Sequence, residues 1–170
     1  MRLFALIAAM SVSSVSAASA ATQSCPIEKS VYRLTGFEKS AELRFIADPE
    51  LARQTQLSAR IKSNLTGKAY SFYVAISNGY STHYLVDASK PEPDDNASNE
   101  NDEDKTPSFS FYNFDSRMHV MNLPNPGERA PQYIFIPDLG ASLWYAEMSP
   151  GQKAREAIET EMWHRAECIK

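Results

Sequence analysis

The chain has 170 residues, 43% of them hydrophobic, and a formal net charge of −4 at pH 7. Eight acidic residues between Asp87 and Lys105 produce the negative balance, and the rest of the chain is close to neutral. A chain without a basic patch has no electrostatic means of binding nucleic acid or anionic lipid, so we expect neither as a partner.

The first twenty residues are typical of a secretory signal peptide. Met1 and Arg2 are followed by an apolar stretch from Leu3 to Val15, and Ala18-Ser19-Ala20 provides a small-residue cleavage site. The apolar stretch is too short to span a bilayer, so we predict removal of residues 1–20 and no membrane anchor. The exported remainder, 21–170, has the size of a single domain and would be periplasmic or secreted.

The two cysteines, Cys25 and Cys168, lie close to the two ends of this exported part. In an oxidising compartment we expect them to form a disulfide. They lack the Cys-x-x-Cys spacing of redox-active pairs, which favours a structural role. A bridge that closes so long a loop would stabilise the fold by roughly 5 kcal/mol on the chain-entropy model.

Alternation of apolar and polar residues predicts several β-strands in the first half of the chain. The clearest of them is Leu57 to Lys62, which turn-forming residues at Asn64 to Gly67 bring to an end. Less regular patterns predict two earlier strands, Val31 to Leu34 and Glu42 to Ile46.

The strongest local pattern is a β-hairpin from Lys68 to Val86. Asn78-Gly79 is typical of a two-residue turn, which would pair Val74 with His83 and Phe72 with Leu85. One face of the hairpin would then belong to the core, and it carries Tyr70, Phe72, Val74, Ile76, His83 and Leu85. The opposite face would carry tyrosines and small hydroxyl residues, namely Tyr73, Tyr80, Tyr84, Ser71, Ser77 and Thr82, together with Val86.

An acidic segment follows the hairpin. Residues 87–107 read DASKPEPDDNASNENDEDKTP, with no aromatic residue and three prolines. Such a segment cannot bury enough apolar surface to offset the entropy lost on ordering, so we predict a disordered loop. It would connect two strands of one β-rich domain, because the parts on either side are too short to fold alone.

The remainder of the chain contains four predicted strands and then a predicted helix. Ser149, Pro150 and Gln152 are typical of a helix start, and apolar residues at helical spacing extend the pattern to about Glu167. Many strands followed by one helix predict an α+β fold. We expect mainly an antiparallel sheet or open barrel of about seven or eight strands, with a C-terminal helix and with the termini joined by a disulfide. The four strands are Ser108 to Phe114, Arg117 to Leu123, Tyr133 to Ile136 and Ser142 to Tyr145.

Two histidines are candidates for chemistry. His83 would lie on the core face of the hairpin, where a histidine is typically a hydrogen-bonded packing residue. His119 lies between Met118 and Met121, a string that suits Cu(I). Strand alternation would turn Met118 away from His119, so we favour the methionines as core residues over a metal site.

No motif of nucleophilic catalysis, metalloprotease chemistry or phosphate binding occurs in the chain, and we predict no catalytic residue, cofactor or metal. The remaining candidates are Tyr73, Tyr80 and Tyr84, since tyrosines supply flat contact area with a polar rim. We interpret the protein as a non-enzymatic exported binding or interaction module whose partner is an envelope protein or a glycan. The alternatives are a small extracytoplasmic hydrolase that uses His83 or His119, and a structural component of the envelope.

Overall fold

A computed structural model describes residues 24–49, 55–77, 82–88, 108–145, 147–149, 152–153 and 155–170. The predicted signal peptide, most of the predicted disordered loop and Tyr80 lie outside the described residues. The strands are β1 (Ser30–Leu34), β2 (Ala41–Ala47), β3 (Leu57–Ser63), β4 (Ala69–Ile76), β5 (His83–Asp87), β6 (Ser108–Phe114), β7 (Val120–Met121), β8 (Tyr133–Phe135), β9 (Glu147–Ser149), β10 (Gln152–Lys153) and β11 (Trp163–Cys168). Helix α1 is Leu139–Tyr145, and a short 3₁₀ turn covers Ile27–Lys29.

Eight of these strands form a closed antiparallel barrel. Strands β1 to β6 are paired in chain order, β6 is followed by β8 and β8 by β11, and β11 pairs with β1 to complete the circle. Strand β7 is an extra two-residue strand on β6, and β9 and β10 form a separate small ribbon. The predicted antiparallel fold of about seven or eight strands is therefore confirmed, and the barrel is closed.

The predicted disulfide between Cys25 and Cys168 is also confirmed, with the two Cα atoms 5.8 Å apart. Cys25 precedes the 3₁₀ turn that leads into β1, and Cys168 is the last residue of β11. Strand pairing sets Ser30 opposite Cys168, so the bridge joins segments that are already neighbours in the barrel. We call this end of the barrel the disulfide end and the opposite one, where β11 begins, the helix end.

The barrel interior is filled by large side chains. Alternate residues of each strand point inward, as in β3, where Leu57, Ala59 and Ile61 are buried. Aromatic rings pack against one another across the interior, with ring centroids 6.2 Å apart for Tyr32 and Phe45. An eight-stranded barrel is narrow enough for side chains to fill it. The largest of the fully buried side chains are Trp163, Tyr32, Phe45 and Phe111.

At the helix end, α1 packs against the chain that leads into β11. Leu139, Leu143 and Ile158 are buried together with the barrel core. Gly140 allows this close approach, because a Cβ atom at that position would overlap the carbonyl oxygen of Ile158. The segment 155–160 is therefore held between the helix and the barrel.

The prediction of a helix from Pro150 to about Glu167 was wrong in its position. A helix does occur toward the C-terminal end of the chain, but it is α1, where the sequence predicted a strand over Ser142 to Tyr145. Over the predicted range, residues 155–159 have no regular structure and Trp163 to Cys168 form β11. The barrel needs a strand between β1 and β8 to close, and this tertiary demand outweighs local helix propensity.

The hairpin register differs from the prediction by two residues. Val74 pairs with Leu85, and Ile76 pairs with His83. The backbone N–H of Ser77 donates to the oxygen of Thr82, so the connection is longer than the two-residue turn that Asn78-Gly79 indicated. A shift by an even number of residues preserves the faces, and the predicted division into core and outer sides is retained.

The predicted strand Arg117 to Leu123 is reduced to β7. The chain turns between Asp115 and His119, and Met118 takes a positive φ of 65°. Met118 is half exposed, so it is not the core residue that the sequence indicated.

Candidate functional site

Tyr73 and Tyr84 lie on the outer side of the barrel wall, where the predicted hairpin faces place them. Tyr73 pairs with Val86 across β4 and β5, and Tyr84 pairs with Ser110 across β5 and β6. Both tyrosines are half-buried. Tyr80 lies outside the described residues, so the geometry of the predicted three-tyrosine site can be given for two of its members.

Four further aromatic residues extend this surface and were missed at the level of sequence. Tyr112 pairs with Phe135, and Phe114 pairs with Tyr133, across β6 and β8. They alternate with buried Phe111, Asn113 and Ile134, so they point outward. We use the name outer aromatic face for Tyr73, Tyr84, Tyr112, Phe114, Tyr133 and Phe135.

The aromatic residues of neighbouring strands are close enough to form one surface. Tyr84 lies opposite Ser110, and Tyr112 is two residues further along β6 on the same side. Such a diagonal pair has Cα atoms roughly 7–8 Å apart, which is within reach of aromatic rings. Tyr112 is the most accessible member described, with 42% of its surface exposed.

The strands that carry this face are almost free of charge. Strands β4, β6 and β8 contain no Asp, Glu, Lys or Arg, and β5 contains only Asp87, at its end. The rest of the wall is different. Glu42 pairs with Arg33 on one side and Lys62 on the other across β1, β2 and β3.

We call this second half of the wall, formed by β1, β2, β3 and β11, the charged outer face. Ion pairs connect several of its side chains. Arg33 forms a 2.6 Å salt bridge to Glu167, and Arg44 forms one of the same length to Glu42. The outer surface of the barrel is thus divided into a charged half and an uncharged aromatic half.

His83 is a packing residue, as the sequence indicated. Its ring is buried, with its centroid 5.5 Å from that of Phe111, and Nε2 accepts a hydrogen bond from the backbone N–H of Leu123 at 3.3 Å. Burial lowers the pKa of His83, because the charged imidazolium is poorly solvated there.

His119 is exposed and lies beside Asp115. Its Nδ1 is 3.2 Å from Asp115 Oδ2, and Asp115 Oδ1 accepts the backbone N–H groups of Arg117 and His119. These hydrogen bonds, chiefly that of the His119 backbone, hold the pKa of the Asp115 carboxyl below its usual range. Among the described residues, the hydrogen-bonding partner of the His119 ring is Asp115 and that of the His83 ring is the Leu123 backbone.

The described residues contain no group of three or more His, Cys, Asp or Glu side chains that could hold a metal ion. Within the same part of the chain, no helix combines the length and apolar character that crossing a membrane requires. Comparison with protein-family models, with curated proteins and with solved structures returns no match. The outer aromatic face is therefore interpreted from its own geometry.

Proposed function

We propose that the protein is an exported binding module that uses the outer aromatic face to bind another protein. The division of the barrel wall supports this: charged residues lie on β1, β2, β3 and β11, whereas the strands that carry the aromatic residues contain one charged residue, Asp87. The buried parts of protein interfaces are enriched in tyrosine and phenylalanine and depleted of lysine, glutamate and aspartate. The outer aromatic face has this composition.

The filled interior supports a contact at the outer wall. Barrels that bind small ligands commonly do so inside, but here Trp163, Tyr32 and Phe45 occupy the interior. The outer wall, and not the interior, is then the surface that can contact a partner.

The extent of the face favours a protein over a single sugar. It spans four adjacent strands, β4, β5, β6 and β8. At a strand spacing of about 4.8 Å, this gives a width of roughly 15 Å, the scale of the centre of a protein interface. The rigid sheet also holds the tyrosine rings at little cost in conformational entropy.

Site-specific photo-crosslinking in the producing cell tests the proposal. A crosslinking amino acid replaces Tyr112 on the outer aromatic face in one variant and Lys62 on the charged outer face in the matched control. We expect a defined crosslinked protein from the first position and none from the second. Crosslinks from Lys62 alone, or from neither position, would contradict the proposed surface.

Binding of the identified partner is then measured with purified proteins. Tyr84→Ala and Tyr112→Ala should each weaken binding by about tenfold, since aromatic anchors of an interface typically contribute more than 1 kcal/mol. Arg60→Ala, on the charged outer face, should leave binding unchanged. Near-ultraviolet circular dichroism confirms that each variant is folded. A partner that binds all variants equally well would refute the assignment of this face.

Export is part of the same proposal. The disulfide fits an oxidising compartment, and the first twenty residues have the pattern of a signal peptide. Sequencing the N-terminus of the protein from the periplasm or medium should give a start near Ala21. A chain that retains Met1 and a reduced Cys25 in the cytoplasm would overturn it.

A further inference from the structure

A small pocket with two arginines lies at the disulfide end of the barrel, next to the Phe114 and Tyr133 end of the outer aromatic face. Its volume is about 180 Å³. It is bounded by the turn after β6, by the chain before β8 and by β11. The residues that line it are Asp115, Ser116, Met121, Arg129, Ala130, Gln132 and Arg165.

Arg165 is held in place by the pocket wall. Its Nη1 donates to the carbonyl oxygen of Ala130 at 3.3 Å, and its Nη2 donates to Gln132 Oε1 at 3.2 Å. Its backbone N–H also donates to the oxygen of Gln132 at 2.9 Å. A guanidinium has five N–H donors, so these contacts fix its orientation and leave donors for a ligand.

Arg129 supplies a second guanidinium. Its backbone is anchored by a β-bridge to Pro26, and the N–H of the next residue, Ala130, donates to the oxygen of Cys25 at 2.8 Å. The Arg129 side chain is exposed and forms no salt bridge with a described residue. Two guanidinium groups therefore line the same pocket as one carboxylate, that of Asp115.

We propose that this pocket binds a carboxylate group, carried either by a small organic acid or by the end of a polypeptide chain. Arg129 and Arg165 would provide the paired donors that match a carboxylate, and Met121 would contact the carbon chain attached to it. Asp115 leaves one net positive charge in the pocket, which favours a singly charged group over a phosphate dianion. The volume is below the roughly 300–1,000 Å³ of pockets for drug-sized ligands, so only a short group fits.

Titration of the disulfide-bonded protein, followed by NMR, tests this site. The probes are butyrate, an alanine peptide with a free C-terminus, the same peptide with an amidated C-terminus, and inorganic phosphate. We expect saturable shifts of the Ser116 and Gln132 amide signals with butyrate or with the free peptide, and none with the amidated peptide. Whichever of the two carboxylates binds more tightly identifies the source.

Variants separate the site from general charge attraction. Arg129→Ala should weaken binding of the carboxylate probe by about tenfold or more, whereas Arg60→Ala, an exposed arginine removed from the pocket, should leave it unchanged. Arg165→Lys keeps the charge and loses the planar fork, and it should also weaken binding. Amide spectra of each variant show whether the barrel is intact.

Three results would overturn the proposal: no saturable shift with any carboxylate, tighter binding of phosphate, or equal losses in Arg129→Ala and Arg60→Ala. None of these results bears on the outer aromatic face, whose variants are at different residues. The two proposals can therefore fail independently.

Discussion

The hydroxyl of Tyr70 donates a 3.1 Å hydrogen bond to Oε2 of Glu156, and the Thr66 hydroxyl donates to the same oxygen at 2.7 Å. Tyr70 is the second residue of β4, and Thr66 lies in the turn before this strand, whereas Glu156 belongs to the irregular segment that leads into β11. Glu156 is fully buried. Its carboxylate therefore pins the chain at the helix end of the barrel to the β3–β4 turn.

This contact predicts an unusual titration of Tyr70. Burial, and then the hydrogen bond and charge of Glu156, raise the pKa of Tyr70 to about 12. Glu156→Gln should lower this pKa part of the way toward 10, because the burial persists while the charge is removed. Ring-carbon NMR during an alkaline titration measures it, with exposed Glu161→Gln as the control.

The sign of the accompanying change in stability follows from linkage. Because folding raises the pKa of Tyr70, the protonated Tyr70 hydroxyl contributes its full share of the folding stability below pH 10. This contribution is lost as the pH rises toward 12. The free energy of unfolding, measured with urea over this pH range, should decrease less steeply in Tyr70→Phe than in the native protein. Equal declines in both would contradict the prediction.

The lowered pKa of His83 predicts that the fold loses stability as the pH falls. Its folded-state pKa lies below the ordinary value of 6.5, so the unfolded chain takes up the proton first as the pH falls. The free energy of unfolding should be highest above pH 6.5 and decrease below it. His83→Gln keeps an acceptor for the Leu123 N–H and should reduce that slope, by at most about 1.4 kcal/mol per pH unit. An unchanged slope would show that His83 is not the group responsible.

The disulfide should contribute a large share of the stability. It closes a loop with a sequence separation of 143 residues, which corresponds to about 5 kcal/mol on the chain-entropy model. Urea unfolding of the Cys25→Ser, Cys168→Ser double variant should show a loss of this order. The native protein in dithiothreitol is the matched control and should lose the same amount. A loss below about 1 kcal/mol would mean that the barrel alone holds the two ends together.

Gly140 is the glycine whose replacement should be most damaging among those described. In Gly140→Ala the new methyl group would overlap the Ile158 carbonyl oxygen, so α1 or the segment 155–160 must shift. We expect a loss of about 1–3 kcal/mol or more in the free energy of unfolding. Ala141→Ser, on the exposed side of α1, should change it by less than about 0.5 kcal/mol. Similar values for both variants would contradict the close packing.

The sequence was sufficient to predict the antiparallel fold, the disulfide and the two sides of the hairpin, because these depend on local alternation and on the cysteine pair. The hairpin register was wrong because Asn78-Gly79 indicates a two-residue turn, while Ser77 pairs with Thr82 instead. The helix was misplaced for a different reason. The segment ending at Cys168 has helical spacing, but its partners β1 and β8 are distant in sequence and require a strand.

The candidate site was predicted only in part for the same reason. Tyr73 and Tyr84 belong to one hairpin, so local alternation placed them on a common face. Tyr112 could be placed on a strand from its sequence, but its partner Phe135 follows a long connection. The pairing of β6 with β8 is a property of the closed barrel, and no local pattern contains it.

The position of the cysteine pair has a mechanical consequence. When the chain is pulled from points outside Cys25 and Cys168, the load passes through the covalent S–S bond, and the hydrogen bonds of the barrel bear none of it. The oxidised protein would then resist extension until covalent bonds break. Reduction would expose the β1–β11 pairing directly to the force, and the chain between the two cysteines, whose sequence separation is 143 residues, could extend to about 500 Å.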